Sequence, residues 1–465
     1  MKRLLGALVA VLVFSAAPAA HAQAFSRTDG VATMDDGVGI ATTLYVPATA
    51  GPGNLPAVML FHGLGGNRQS LDPIASRFAD RGYVALTFDF RGHGQSGGLF
   101  TGLGARELAD VARLRESWLP ANAPIDGAVG AWGISLGGGA ALLAAAQQRT
   151  FKAVAVVETW TDLYEALIPQ NLPKSGAIFQ FLGAVPESRQ APELLGVRDA
   201  VSRRDVAALR AFTAARSSRP LLRQGMPPTI FFQGRRDFAF GLEQGIKGFE
   251  ALPRLAQLYI GPFGHAPSRF PGPDLDRMMD RVAALFDAQL KGLPAASGPS
   301  VELVSETGNT SRRSAALPPT RTIAFTLRGR ATIGSAGKVV RRAPVARLTE
   351  TFGSPTVRVQ ASSTTGWSHL VAVLVARTPS GEQIVVSEGG APVSLRRTPK
   401  QVTIRLISQV TRIPARSRLE LTLAGTSTAQ HPANLLYLVP VPQRARITLG
   451  NARLTIPALR TPVSR

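Results

Sequence analysis

Three side chains of this chain have the types and the order that serine-based acyl transfer needs. Ser135 stands in Gly133-Ile134-Ser135-Leu136-Gly137, between a short apolar run at 128–132 and a small-residue helical stretch at 138–147. A serine on a tight strand-to-helix turn takes strained backbone angles and lifts its hydroxyl clear of the sheet edge. Small flanking residues are needed there because side chains would collide with strand and helix. A turn with a capping serine is the plainer reading of the bare pattern in a Gly-rich chain, but the strand and helix on either side favour a nucleophile elbow. A serine hydroxyl also needs a base to take its proton and a buried acid to hold that base's tautomer. Asp237 follows the run 229–232 through Gln233-Gly234-Arg235-Arg236, and His265 follows the run 255–260 through Gly261-Pro262-Phe263-Gly264. The plainer readings are a loop acid paired to Arg235 or Arg236 and a capping or buried structural histidine. The order serine, acid, histidine, each at a strand end, favours a triad. Asp162, just after the run 152–158, is the competing acid.

Charge develops on the carbonyl oxygen under attack, so the site must supply two N–H donors. The residue after the nucleophile, Leu136, is one source. The other is Leu64, in His62-Gly63-Leu64-Gly65-Gly66, where the glycines let a substrate carbonyl approach. His62 precedes the elbow and is read as structural. The polar stretch Asp89-Phe90-Arg91-Gly92-His93-Gly94-Gln95-Ser96 is read as a hydrogen-bonded brace beneath the site, since no base is missing for it to provide.

Elements that position these groups alternate along the chain. Residues 32–47 read as a hairpin with Asp36-Gly37 at its turn, and 56–62, 83–89, 128–132 and 152–158 as buried strands. Helical patterns fall near 74–79 and over 103–118. Strands alternating with helices at this spacing predict a parallel sheet with right-handed crossovers. Residues 160–224 break the alternation with Pro-punctuated helical sequence, read as a cap that excludes water and shapes a pocket, with a merely structural insertion as the alternative. Residues 294–299 read as a small-residue linker, and beyond them short alternating segments at 321–327, 356–361, 370–376, 384–387, 401–406, 418–423 and 446–449 read as an all-β sandwich.

Composition bounds the setting. The N-terminus carries Met1-Lys2-Arg3, an apolar stretch at 4–13 and small residues ending Ala20-His21-Ala22, the pattern of a secretory signal cleaved after Ala22. No later run is long and uncharged enough for a transmembrane helix, so a secreted, extracytoplasmic protein is expected. The chain has no cysteine, which excludes disulfides, lipoprotein anchoring and thiolate metal sites, while 465 residues at 45% apolar content suffice for a large core. The formal charge of +22 invites a nucleic-acid reading. The arginines run singly or in pairs, without a basic stretch interleaved with aromatics, so a solvated surface is expected and no nucleic-acid partner.

These residues resemble the α/β-hydrolase superfamily, and specifically its cocaine-esterase and X-Pro dipeptidyl-peptidase branch. The likeness runs from Met34-Asp35-Asp36-Gly37 and Leu44-Tyr45-Val46-Pro47, through the His62 loop, the 89–96 loop, the elbow and Gly261 to His265, to a tail with Gly353-Ser354-Pro355, Thr378-Pro379-Ser380-Gly381 and Ile413-Pro414-Ala415. The resemblance implies an α/β-hydrolase fold with a helical cap insertion, followed by a jelly-roll sandwich. The domains are then a signal peptide at 1–22, a catalytic domain at 23–293 with its cap at about 160–224, a linker at 294–300, and a sandwich at 301–465. Two departures stand out. The branch usually has Tyr after the nucleophile where this chain has Leu136, and its oxyanion loop often supplies a Tyr hydroxyl, absent from His62-Gly63-Leu64.

The expected function is hydrolysis of a carboxylic ester through an acyl-enzyme at Ser135, without cofactor or metal, with His265 as base then acid and Asp237 orienting it. The substrate is a small-molecule ester or a short peptide or amide. An exopeptidase or amidase needs a carboxylate for the substrate ammonium, for which Glu158, Glu165 and Glu187 are the candidates. The third reading is a cell-envelope binding protein on a hydrolase scaffold, its sandwich gripping polysaccharide. Oligomeric state is left open by the sequence.

Overall fold

Runs of apolar residues in the first two thirds of the chain can bury both faces only inside a layered sheet, and the computed structural model pairs them that way. It describes residues 24–48, 55–222, 225–295, 300–427 and 436–463. The expected signal peptide, the Gln224 end of the cap and residues 296–299 of the linker lie outside them. Ten strands, β1 (Phe25–Thr33), β2 (Gly39–Pro47), β3 (Leu55–Phe61), β4 (Val84–Phe88), β5 (Ile125–Ile134), β6 (Ala153–Val157), β7 (Thr229–Gly234), β8 (Ala256–Gly261), β9 (Val301–Val304) and β10 (Ser311–Ser314), form one sheet. Their order is β1-β2-β4-β3-β5-β6-β7-β8-β9-β10. The hairpin β1–β2 and the last pair, β9–β10, are antiparallel, and the run from β4 to β9 is parallel.

Side chains alternate between two packed layers, as the pleat requires. Val58 and Leu60 of β3 face Tyr45, Trp132, Phe232 and Tyr259 under helices Asp72–Asp80 and Leu275–Leu290. Met59 and Phe61 face the opposite layer, which contains helices Ala105–Arg113 and Leu136–Gln148. The helix predicted over 103–118 ends at Arg113 and continues as a wider π-type turn, Leu114–Trp118. Four helices of the inserted segment, Leu163–Leu167, Ser175–Leu182, Pro192–Arg203 and Val206–Ala214, sit over the carboxyl ends of the strands.

One expectation needs correction. Residues 301–314 belong to the hydrolase sheet, not to the sandwich, because β9 pairs in parallel with β8 and β10 pairs with β9. The physical reason is the exposed edge that β8 would otherwise leave: Val301–Val304 is fully buried and satisfies it. The sandwich therefore begins near Thr320. Its first sheet runs Thr320–Leu327, Arg446–Leu459, Thr356–Ser362, Lys400–Arg405, with Ala331–Gly334 as a fifth strand on Arg446–Leu459, and its second runs Lys338–Val345, Ser417–Ala424, His369–Arg377, Gln383–Pro392, all antiparallel. His369–Arg377 is buried on both faces. Leu370, Ala372 and Leu374 point into the sandwich core, while Val371, Val373 and Val375 pack with Leu172, Ala177 and Phe238 of the hydrolase domain. No helix among the described residues is long and apolar enough to cross a membrane.

Candidate active site

Strand β5 ends at Ile134, helix Leu136–Gln148 begins two residues later, and Ser135 occupies the corner between them with φ 53° and ψ −116°. Such angles are costly for a residue with a side chain and persist only where the surroundings enforce them. Here the Ser135 amide donates to Val157 O at 2.8 Å, and its carbonyl accepts from the Thr159 hydroxyl at 2.8 Å. The flanking glycines follow from close approach: a Cβ at Gly133 would lie 2.2 Å from Gly137 O, and one at Gly137 would lie 2.1 Å from Phe61 O.

Asp237 and His265 reach this corner from the loops after β7 and β8. His265 Nε2 lies 2.9 Å from Ser135 Oγ, and His265 Nδ1 lies 2.7 Å from Asp237 Oδ2. Asp237 is fully buried, and its Oδ1 accepts from the amides of Ala239 and Phe240 at 2.9 Å each. That web orients the carboxylate before any substrate arrives. The Nδ1 contact to an acid leaves Nε2 as the acceptor for a hydroxyl proton. Neither neighbouring arginine holds Asp237. Arg235 pairs with the buried Glu350 and donates to Val304 O at 2.7 Å, and Arg236 donates to Val385 O at 2.9 Å.

Asp162, the competing acid, is not part of this arrangement. It caps helix Leu163–Leu167 through the Glu165 amide and pairs with Arg219 at 2.7 Å. The acid that does approach is Glu158, at the carboxyl end of β6, with φ 52°. Its Oε2 lies 3.8 Å from His265 Nδ1, and its Oε1 has no hydrogen-bond partner among the described residues. Burial pushes the Glu158 carboxyl well above the usual carboxylate range, with Asp237 and Asp274 adding repulsion against the opposing pull of His265. For His265 burial works against the imidazolium, but the charge and hydrogen bond of Asp237, with Glu158 behind, outweigh it and lift the imidazole above its ordinary value. Glu158, Asp237 and His265 offer ligand atoms within 4.8 Å of one another. Asp237 and His265 are already committed to each other and to backbone donors, so no metal is assigned there.

The Leu64 and Leu136 residues line the same cavity as Ser135. The Leu136 amide belongs to the first turn of its helix, where amides have no intrahelical acceptor, and Gly63 is near enough that a Cβ there would sit 3.7 Å from Ser135 Cβ. His62 is a brace: its Nδ1 meets Gly63 O at 2.7 Å and its Nε2 accepts from the Phe90 amide at 3.1 Å. Burial pushes its pKa down to about 4, aided by His93, so it stays neutral. Asp89 lies beneath, accepting from Arg68 Nη1 at 2.7 Å and the Gln95 amide at 2.8 Å.

Above Ser135 the cap encloses about 730 Å³ of empty space, its open mouth included. Its wall is apolar, with Leu163, Ile178, Phe181, Leu182 and Val197 from the cap and Trp160 and Phe240 from the sheet side; besides Ser135, Gln190 is the polar lining residue among the described residues. Gln190 spends its amide on Leu182 O and Val185 O at 2.7 and 2.6 Å. Glu165 is held by Arg219 and Lys247, and Glu187 is paired with Arg198, so neither enters this cavity. The cap is tied down by Arg216, which donates to Gly102 O and Thr101 O at 2.8 and 2.7 Å.

A family model described as X-Pro dipeptidyl-peptidase (S15 family) matches residues 36–267, which span the hairpin, the elbow, the cap and the His265 loop. The chain belongs to the X-Pro dipeptidyl-peptidase-like branch of the α/β-hydrolases. Solved structures share its fold over nearly the full length. A CocE/NonD family hydrolase from Staphylococcus aureus is 16% identical with a TM-score of 0.73, covering 94% of both chains. An α-amino acid ester hydrolase is 14% identical with a TM-score of 0.70, covering 96% of this chain and 98% of its own. Among curated relatives, an uncharacterized 31.7 kDa protein of Escherichia coli is 36% identical over 124 residues, 25% of this chain and 41% of its own length. The quorum-quenching protein AidA of Acinetobacter baumannii is 35% identical over 136 residues, 28% of this chain and 42% of its own. The chain thus spans about two fifths of the length of these curated relatives. In this chain the serine, acid and histidine lie within hydrogen-bond reach of one another.

Two residues beside the candidate site lie where the sequence pattern does not place them. Glu158, one of three candidates for holding a substrate ammonium in the alternative amidase reading, sits behind His265. Its place at the end of a sheet strand was the available signal. Gln409, whose side chain donates to Asp237 O at 2.7 Å from the sandwich, had none.

Proposed function

We propose that this protein is a serine esterase that hydrolyses carboxylic esters with apolar acyl groups. The observation that carries the reading is the cavity at Ser135, walled mainly by aliphatic and aromatic side chains and, among the described residues, by no carboxylate. Transfer of an acyl chain from water into such a wall is favourable by roughly 0.8 kcal/mol per methylene. A substrate ammonium would find no counter-charge there, which disfavours aminopeptidase chemistry. The near-contact geometry of the three side chains speaks against a merely binding role for the scaffold.

In the proposed cycle Ser135 Oγ attacks the ester carbonyl carbon as its proton passes to His265 Nε2, and Asp237 steadies the resulting imidazolium. The amides of Leu64 and Leu136 receive the oxyanion. The tetrahedral adduct collapses as the imidazolium returns the proton to the departing alkoxide, leaving an acyl-enzyme. Water then repeats the sequence with His265 as base, releasing the acid and restoring the hydroxyl. The N-terminal pattern ending at Ala22 supports export as the setting.

The test is kcat/KM across p-nitrophenyl esters from acetate to dodecanoate, beside an X-Pro p-nitroanilide. The expected result is a rise from acetate to a medium-chain acyl group, with the anilide at least about a hundredfold poorer. A higher kcat/KM for the anilide would overturn the ester reading.

A further inference from the structure

The positive charge of this chain is unevenly placed. Residues 301–465 contain 23 of the 52 Lys and Arg but only six of the 30 acids, and no Asp. Four of the six are consumed inside the fold or by neighbouring arginines: Glu302, Glu350 and Glu388 are buried, and Glu420 meets Arg342, Arg377 and Arg418. None lies on the sheet formed by Thr320–Leu327, Arg446–Leu459, Thr356–Ser362 and Lys400–Arg405.

One face of that sheet packs into the sandwich core through Val357, Val359, Ile404, Leu454 and Ile456. The pleat turns the alternate residues outward. Register places Thr326, Arg453, Arg358 and Thr403 in one row across these four strands of the five-stranded sheet, and Arg405 one row along, opposite Thr356. Arg358, Arg453 and Arg405 are exposed, and their side chains make no ion pair or hydrogen bond with any described residue. Like charges directly opposite on adjacent strands repel and weaken a sheet. Folding alone gives no reason to set Arg453 against Arg358 with no acid near, whereas an external anion does.

We propose that this face binds an acidic polysaccharide, its carboxylates on the guanidinium forks of Arg358, Arg453 and Arg405 and its hydroxyls on the flanking threonines. Arginine forks hold carboxylates in bidentate geometry, and threonine hydroxyls donate and accept as sugar hydroxyls require. A membrane-docking face sets apolar side chains beside its cations, and in these two rows the one apolar side chain is that of Ala324. Single-stranded nucleic acid calls for stacking aromatics, and these rows have none.

The test is binding of the full chain to immobilised polygalacturonate at rising salt, comparing R358Q/R453Q with R203Q/R254Q. The second pair removes the same charge from exposed positions outside the sandwich. The expected result is binding by the wild type that weakens with salt, a loss of about tenfold or more in R358Q/R453Q, and a change of less than about twofold in R203Q/R254Q. Turnover of a small soluble ester should be unchanged in both, which certifies the fold. Absence of binding, or equal losses in the two variants, would overturn the proposal. So would tighter binding of phosphatidylglycerol vesicles or duplex DNA than of polygalacturonate, lost in the same R358Q/R453Q variant.

Discussion

Gln409 Nε2, from the C-terminal sandwich, donates a 2.7 Å hydrogen bond to the backbone carbonyl of Asp237, and both residues are buried. The acid's loop is thus held from two domains. Val410 N donates to Arg235 O at 2.7 Å, Leu242 N donates to Ser408 O at 3.0 Å, and Glu350 pairs with Arg235. From the cap side, Lys174 is buried and donates to Phe238 O and Ala239 O at 2.9 Å each. The sandwich therefore acts on the candidate site through the backbone that carries Asp237.

Replacing Gln409 by Leu removes that donor and leaves a buried carbonyl unpaired, at a cost of about 1–3 kcal/mol. The expected outcome is a kcat lowered by roughly tenfold with KM little changed, since the residue does not line the cavity. Steady-state kinetics and a melting curve check it; an unaltered kcat would show that the loop holds its shape without the sandwich.

Ser135→Ala should abolish ester turnover by about a million-fold while the protein stays folded, because the hydroxyl supplies chemistry and little packing. A fluorophosphonate should label the wild type at Ser135, mapped by mass spectrometry. Adduct on another serine would move the nucleophile.

The acids separate by geometry. Asp237→Asn should lower the rate by about four orders of magnitude. Asp162→Asn, which perturbs a helix cap and a half-exposed ion pair with Arg219, should cost on the order of 1 kcal/mol of stability at most and leave the rate nearly intact. Because Glu158 stands 3.8 Å from His265 Nδ1, residual activity in Asp237→Asn is expected to fall further when Glu158→Gln is added. An equal residual rate in single and double variants would deny Glu158 any part.

The pH profile carries a sign. His265 accepts a proton only when neutral, and its pKa is raised because Asp237 and Glu158 outweigh burial and the opposing charge of Lys174. The acid limb of kcat/KM should therefore lie above the ordinary imidazole range. Glu158→Gln takes away one anionic neighbour, so the limb should move to lower pH. A limb that stays in place, or moves upward, contradicts the assignment of Glu158 as a neighbour that charges His265.

Much of this arrangement was legible in the chain. Alternating runs predict β3 to β8, and because Ser135, Asp237 and His265 each follow a strand end, the structure brings them to the same sheet edge. What escaped were features fixed by distant partners. Val301–Val304 reads as the start of any β domain until the bare edge of β8 is seen to need it. His369–Arg377 is an uninterrupted apolar run because it is covered on one side by its own domain and on the other by Leu172, Ala177 and Phe238. Arg358 and Arg453, 95 positions apart, become neighbours only through the register of their strands.

The sandwich as a whole offers the sharpest test of interdependence. A fragment ending at residue 317 keeps β9 and β10, so the sheet edge is intact, and any defect reports the loss of the sandwich alone. That loss uncovers Leu172, Ala177 and Phe238, which pack with Val371, Val373 and Val375. It also frees the loop 235–242 from Gln409, Val410 and Ser408. Exposed apolar surface of this kind favours association, and a loosened Asp237 loop costs rate even where the fragment stays folded. The expected outcome is an insoluble fragment, or a soluble one with kcat on a small ester reduced by at least about tenfold. A soluble fragment of full activity would show that Asp237 is set by the hydrolase domain alone, and that the sandwich serves only to hold what its outer face binds.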